Sequence, residues 1–240
     1  MFNKKYGIIQ RITTNDEEIS TIHYQIKLQK TALDTIIIDR HPVYINYRRP
    51  ELMLEQIVDE IGRIFYPLEL ELYDNAKLKV IANFSDIQKR WKAKKILLEN
   101  YYKGKVIENL FKKINDRLQY RGQTQRGILD SWFFVLYFFH YTKPLMIKKP
   151  KVLYEITLQI EETISETNKF RIYAKGHSIA TEMQKDNTIH STEFTEEKGN
   201  LEFVYTLNAQ DNSIFSICGK VDLKHHNTIR QINFECYEQY

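Results

Sequence analysis

Both ends of the chain alternate between apolar and polar residues with a period of two. Tyr6, Ile8 and Ile12 share one parity. Ile22, Tyr24, Ile26 and Leu28 form another such run, after the polar stretch Asn15-Asp16-Glu17-Glu18. Further apolar runs follow at Ile36-Ile37-Ile38 and Val43-Tyr44-Ile45. Successive strand side chains point to opposite faces, so β-branched and aromatic residues alternating across polar turns predict an antiparallel meander. Pro42 has no N–H for a ladder, so the His41-Pro42 pair predicts an edge position or a bend. Leu68, Leu70 and Leu72 alternate with Glu69 and Glu71, and Asp74-Asn75 turns the chain into Leu78 and Val80. That pattern predicts a hairpin with one dry and one wet face.

The C-terminal part repeats the theme. Val152, Tyr154, Ile156, Leu158 and Ile160 form one alternating run, and Phe170 and Ile172 begin a partner. Residues 181–200 are polar and unpatterned, which predicts a long surface loop. Leu201, Phe203, Tyr205 and Leu207 then lead through Asp211-Asn212 into Ile214 to Val221, and Ile232, Phe234 and Cys236 close the chain.

Between these clusters the period changes to that of a helix. The spacing predicts helices near 51–65, 86–102, 105–120 and 126–141. Pro50 suits the first turn of the first, with Leu54, Ile57, Val58, Ile61 and Phe65 as its apolar stripe and Pro67 as its stop. Ser85 with Gln88 has the spacing of a capping box, ahead of Ile87, Trp91, Lys94 and Leu98 on one side. Gly104 breaks that helix. Val106, Ile107, Leu110, Phe111, Ile114 and Leu118 make the cleanest amphipathic stripe, and Arg121-Gly122-Gln123 reads as a loop. The run from Trp132 to Phe139 is too short to span a bilayer, which takes about 18 apolar residues, so it predicts a buried helix. Trp132, Phe134, Leu136 and Phe139 are its expected core positions, with Leu110 and Ile114.

The pattern therefore predicts an α+β protein: mostly antiparallel β-sheet, in N-terminal and C-terminal strand clusters, packed around a helical middle. One domain over 1–240 is expected, with a seam at 144–150.

Composition narrows the class. The 240 residues are 42% hydrophobic and 28% charged, which is globular rather than disordered usage. Eight glycines leave little room for Gly-rich phosphate loops. Two cysteines, Cys218 and Cys236, do not make a disulfide scaffold, and both read as small buried strand residues. The first residues lack the apolar stretch of an export signal, so a cytoplasmic protein is expected, with the Ile, Lys, Tyr and Asn usage of an AT-rich bacterial genome.

The sequence offers little local chemistry. Seven histidines are scattered, and the adjacent pair His225-His226 would point to opposite faces of a strand, so no metal site is expected. No nucleophile elbow, Walker loop or dinucleotide fingerprint occurs, and the carboxylate pairs lie in polar turns. No catalytic residue and no cofactor are assigned. The reading leans to a protein without catalytic activity, short of an active site assembled from residues far apart in the chain.

Charge is the strongest asymmetry. From Lys89 to Arg121 there are 11 basic and 3 acidic residues, a segment of +8 in a chain of +4. Lys89, Lys92, Lys95, Lys112 and Lys113 are the candidate partner-binding face. The expected function is a cytoplasmic bacterial protein-binding module of adaptor, chaperone or immunity type, its partner another and acidic protein steered by that face. Sheet edges would offer a second means of contact. One alternative is a nucleic-acid-associated protein gripping phosphates with the helices of 89–121, aided by Trp91, Tyr101 and Tyr102. Another is a protein holding a lipid or apolar ligand against the Trp132 helix.

Overall fold

A computed structural model describes residues 3–32, 34–73, 78–129, 131–138, 145–149, 152–161, 169–179, 198–225 and 228–240. The fold is α+β with antiparallel strand pairing on either side of a helical middle. Two compact units are present. The first holds residues 1–7, 23–138 and 239–240, and the second holds 8–22 and 139–238. The first two strands, β1 (Asn3–Thr14) and β2 (Glu17–Lys30), contribute to both.

The first unit carries β3 (Thr35–Arg40), β4 (Tyr44–Ile45), β5 (Leu68–Leu72) and β6 (Leu78–Ile81). Its strands lie in the order β6-β5-β3-β2, with β4 also on β2. β3 is interior, so the His41-Pro42 step is a bend rather than an edge, and His41 N–H still donates to Gln25 O at 2.9 Å. Leu68, Leu70 and Leu72 are buried, as their alternation requires. The partner strand departs from expectation. The register shifts between Glu71 and Leu72, which sets Val80 opposite Glu71 and Ile81 opposite Leu70. The dry residue of β6 is thus Ile81, not Val80. A one-residue slip exchanges faces, and nothing in the alternation itself announces it.

Five helices follow the strands of this unit or interrupt them: α1 (Met53–Arg63), α2 (Phe84–Tyr101), α3 (Lys105–Gln119), α4 (Arg121–Leu129) and α5 (Trp132–Tyr137). α1 begins beyond Pro50, and its free amides are met by Glu55, which accepts from Glu51 N–H at 3.1 Å and Leu52 N–H at 3.2 Å. Its buried side chains are Ile57, Asp59 and Ile61, whereas Leu54 and Val58 are exposed. The Ser85/Gln88 box does not form. α2 starts two residues earlier, after Asn83, whose amide ties Pro67 O (2.8 Å) to Glu69 N–H (3.0 Å). Gln88 instead donates to Leu118 O at 2.7 Å, satisfying a carbonyl at the end of α3. Gly104, at φ 114°, separates α2 from α3 as expected.

Residues 121–123 are helical, not a loop. Thr124 is buried and donates to Arg117 O at 2.8 Å, which fastens the turn from α3 into α4. The helix expected over 126–141 is two helices. Ser131 is extended (φ −69°, ψ 149°) and its carbonyl accepts from Val135 N–H, so α5 begins afresh there. Phe133, Phe134 and Leu136 are buried, whereas Trp132, Leu110 and Ile114 are only half-buried, and Phe139 lies outside the described residues. On α3 the buried residues are Ile107, Phe111 and Leu118, and Val106 is exposed.

In the second unit the strand order is β1-β12-β11-β10-β9-β8-β7, all in antiparallel neighbour pairs from β7 to β12. The strands are β7 (Leu145–Lys149), β8 (Val152–Glu161), β9 (Lys169–Ile179), β10 (Lys198–Asn208), β11 (Ile214–His225) and β12 (Thr228–Gln239). Asn15 and Asp16 both take positive φ (49° and 67°), the geometry of a tight two-residue hairpin turn. Asn15 also exchanges hydrogen bonds with Ile229, through N–H to O at 2.8 Å and Oδ1 from N–H at 3.0 Å. One sheet face is dry: Ile172, Ala174, Leu201, Phe203, Tyr205, Leu207, Val221 and Phe234 are buried. The Asp211 turn is fixed by its carboxylate, which accepts from Ser213 N–H at 2.9 Å and Ser213 Oγ at 2.5 Å. The turn expected at Asp74-Asn75 lies outside the described residues, as does nearly all of the loop expected at 181–200, but residues 198–200 already belong to β10.

Cys218 and Cys236 are both free, and only Cys236 is buried. Register places Cys236 opposite Ile217 and Cys218 opposite Glu235, so the two thiols occupy opposite faces of the sheet and cannot meet. The expectation of two buried cysteines therefore fails for Cys218.

Candidate functional site

The basic segment folds into an antiparallel pair of helices. Trp91 Nε1 donates to Asn115 Oδ1 at 2.6 Å, and the Trp91 and Phe111 rings meet edge to face at 5.7 Å. Trp91 is buried in this contact and cannot stack on a base. Several basic groups of the segment are structural. Arg90 donates to Ile64 O (2.7 Å) and Pro67 O (3.1 Å), Lys94 pairs with Glu60 at 2.6 Å, and Arg121 lies over the Phe84 ring.

The five candidate lysines differ. Lys89 pairs with Asp86 (3.0 Å) and Lys95 with Glu99 (3.4 Å), each on its own helix. Lys92, Lys112 and Lys113 are exposed, with no ion pair among the described residues. Helical phase sets Lys92 and Lys95 on the α3 side of α2, and Lys112 on the α2 side of α3, while Lys89 and Lys113 turn outward. The five lysines therefore do not share one face, and two of them are neutralised on their own helix. Beside them stand exposed apolar residues that the periodicity did not foretell: Ile96 and Leu97 on α2, and Tyr101, 83% exposed, at its end.

Sequence reasoning missed a cavity of about 240 Å³ within the first unit, lined by residues of α1, α3, α4, α5 and the chain around β3 and β5. Phe65, Ile114, Leu118, Ile128 and Phe134 form its apolar wall. Arg40, Tyr66, Arg117, Thr124 and Ser131 add polar groups, and no carboxylate among the described residues lines it.

Arg40 enters from the end of β3. Its Nη2 donates to Asp59 Oδ1 at 2.9 Å and to Asp59 O at 3.3 Å, and its Cζ sits 5.4 Å from the centre of the Tyr66 ring. Asp59 is shared: Arg63 donates to Oδ2 through Nε (3.0 Å) and Nη2 (2.8 Å). Side-chain exposure is 6% for Asp59 and 14% for Arg40, so this pair is largely desolvated, whereas Arg63 is 49% exposed and also reaches Glu60 at 3.9 Å. Arg40 Nε is buried with no hydrogen-bond partner. Burial pushes the Tyr66 phenol above its ordinary range, against the pull of Arg40, so it stays neutral and able to donate.

Two helical glycines leave room for this arrangement. A Cβ on Gly62 would stand 2.9 Å from Arg40 Nη2, and one on Gly127 would stand 3.1 Å from Arg117 Nη1. Glycine inside a helix costs about 0.5–1 kcal/mol relative to alanine. Here each supplies room for a guanidinium group bordering the same cavity. Lone glycines in two helical segments, Gly62 and Gly127, were the visible signal in the sequence.

His23 stacks on Tyr44 (4.9 Å, 11°), and no group of three or more His, Cys, Asp or Glu among the described residues is placed to hold a metal ion. No helix among the described residues is long and apolar enough to cross a membrane.

No protein-family description matches the chain. No curated protein matches it in sequence. In fold it is similar to a solved structure described as "lipid-protein interactions in lipovitellin", with a TM-score of 0.50 and 7% identity over 99% of this chain. The chain spans 25% of the length of that structure.

Proposed function

We propose that the protein is a binding protein for a small apolar ligand, held in the cavity of the helical unit. The observation that carries this reading is the 240 Å³ cavity with its wall of Phe65, Ile114, Leu118, Ile128 and Phe134. Concave, mainly apolar pockets with a few convergent polar groups are the usual form of small-molecule sites. The likeness to lipovitellin, whose structure is described in terms of lipid–protein interactions, supports the same direction. Thermal denaturation against a panel of neutral alkyl and aryl compounds tests it. Ligand at 100 times its Kd stabilises by about 2.7 kcal/mol. The wild type should gain stability with at least one compound, and Ile114→Trp, which fills the space, should not. A panel without effect on the wild type overturns the reading.

A second reading, a cytoplasmic adaptor, chaperone or immunity-type module, is favoured by the exposed Ile96, Leu97 and Tyr101 on the lysine-rich α2. Exposed large apolar residues among charged ones are a common mark of protein interfaces. Its test is pulldown with wild type and Leu97→Glu/Tyr101→Glu. A specific partner lost in the variant supports the reading, and identical recoveries overturn it.

A further inference from the structure

We infer that the ligand of this cavity carries a carboxylate, held at the arginine-lined border while an apolar body lies along the Phe65–Phe134 wall. This rests on the ligand-binding reading above and names the class of ligand. Three observations carry it. Arg40 Nε is a buried donor with no partner, in a side chain that borders the cavity. A buried donor left unmet is destabilising, and more so on a charged group, so an acceptor that reaches it is favoured. The local charge is also unbalanced. Arg63 reaches Glu60 (3.9 Å) as well as Asp59, and Glu60 pairs with Lys94 (2.6 Å), so Arg40, Arg63 and Lys94 against Asp59 and Glu60 leave one positive charge in excess, and Arg117 adds another with no ion pair among the described residues. Finally, Gly62 and Gly127 each keep a helix clear of a guanidinium group that a methyl would displace.

Size limits the rest of the molecule. The 240 Å³ volume is roughly eight times the ~30 Å³ share of one water in the liquid. That matches a chain of about eight carbons or a single ring. A planar carboxylate suits a guanidinium fork, and the neutral Tyr66 hydroxyl is a further donor at the border.

Calorimetric titration of the full chain with octanoate and with 1-octanol separates head from tail. Octanoate should bind at least tenfold more tightly than octanol. Arg40→Gln/Asp59→Asn removes the buried pair together, leaving no buried acid unpaired, and should bring octanoate down to the octanol level. Arg117→Met should weaken octanoate severalfold more than it changes octanol. Should the double variant fail to fold, the Arg117→Met result alone decides. Equal affinities for octanoate and octanol in the wild type overturn the carboxylate inference and leave the apolar-ligand reading standing. Binding of neither overturns both. Octanoate affinity unchanged in Arg117→Met and in any folded double variant assigns the carboxylate elsewhere and overturns the inference.

Discussion

The rings of Phe203 and Phe234 meet edge to face, 6.5 Å between centroids and 66° between planes, across the position of Gly219. Register sets Gly219 opposite Phe203 on one side and opposite Phe234 on the other. The absent side chain lets two aromatic rings close over a strand, a contact worth about 0.5–1.5 kcal/mol beyond area burial. A Cβ on Gly219 would fall 2.6 Å from Phe203 Cδ1 and 2.1 Å from Glu202 O. Gly219→Ala should therefore destabilise the fold by about 3 kcal/mol, as overpacking does, and lower the melting temperature by roughly 6–12 °C. Calorimetry checks this, and a wild-type melting temperature would show that the rings do not pack over the glycine.

The Trp91–Asn115 hydrogen bond makes a smaller, directional prediction. Asn115→Leu keeps similar bulk and removes the acceptor from a buried indole N–H. The expected loss is about 1–3 kcal/mol by urea denaturation, the cost of a buried unmet donor. Adding Trp91→Phe to Asn115→Leu should recover part of that loss, since both polar partners are then gone.

Asp59 and Asp86 are both paired carboxylates, yet they should behave differently. Asp59→Ala strands the largely buried Arg40, and should cost about 3–5 kcal/mol. Asp86→Ala breaks a pair whose lysine, Lys89, is 77% exposed, and should stay within about 0.5 kcal/mol. Parallel urea titrations of the two variants compare them directly, and similar losses would contradict the assignment of the Arg40 cluster to the interior.

The basic helices permit a test of nucleic-acid binding. Lys89 and Lys95 already have acidic partners, and Trp91 is buried. Labelled oligonucleotides titrated at roughly 50 mM and 200 mM salt should show no tight, salt-steep binding. Submicromolar binding that collapses with salt, and vanishes when Lys89, Lys92, Lys95, Lys112 and Lys113 become Glu, would instead assign that face to phosphates.

The thiols give a pH prediction. Burial raises the pKa of Cys236, with a further upward push from Cys218, and partial desolvation and Glu235 raise that of the more exposed Cys218. A folded pKa above the unfolded value of about 8.5 means the folded state holds its proton longer. The associated stability is complete below that value and is lost progressively as pH rises above it. Cys236→Val should flatten the alkaline fall in stability. In thiol counting, native protein should expose Cys218 alone to a small disulfide reagent, and denaturant should reveal both.

Period-two alternation was enough to place most strands, and period 3.6 placed α1, α2 and α3 to within a few residues, because both follow from which side chains must leave water. The antiparallel α+β class follows from the same pattern. Pairing-dependent features were decided only in three dimensions. Val80 lost its dry position to Ile81 through a register shift that exists only between β5 and β6. Leu54 and Val58 match the helical period but face outward, since periodicity counts apolar residues without knowing which have a surface to meet. Trp132, Phe133 and Phe134 are alike in the sequence, and the new helix begun at Ser131 chose the latter two for burial. The lysine-rich segment was legible as composition, whereas its partial neutralisation by Asp86, Glu99 and Glu60 required knowing which carboxylates fall within reach. The cavity was illegible. Arg40, Gly62, Arg117 and Gly127 come from four separate elements, and only tertiary packing brings an arginine from a strand and another from a helix to the border of one apolar space.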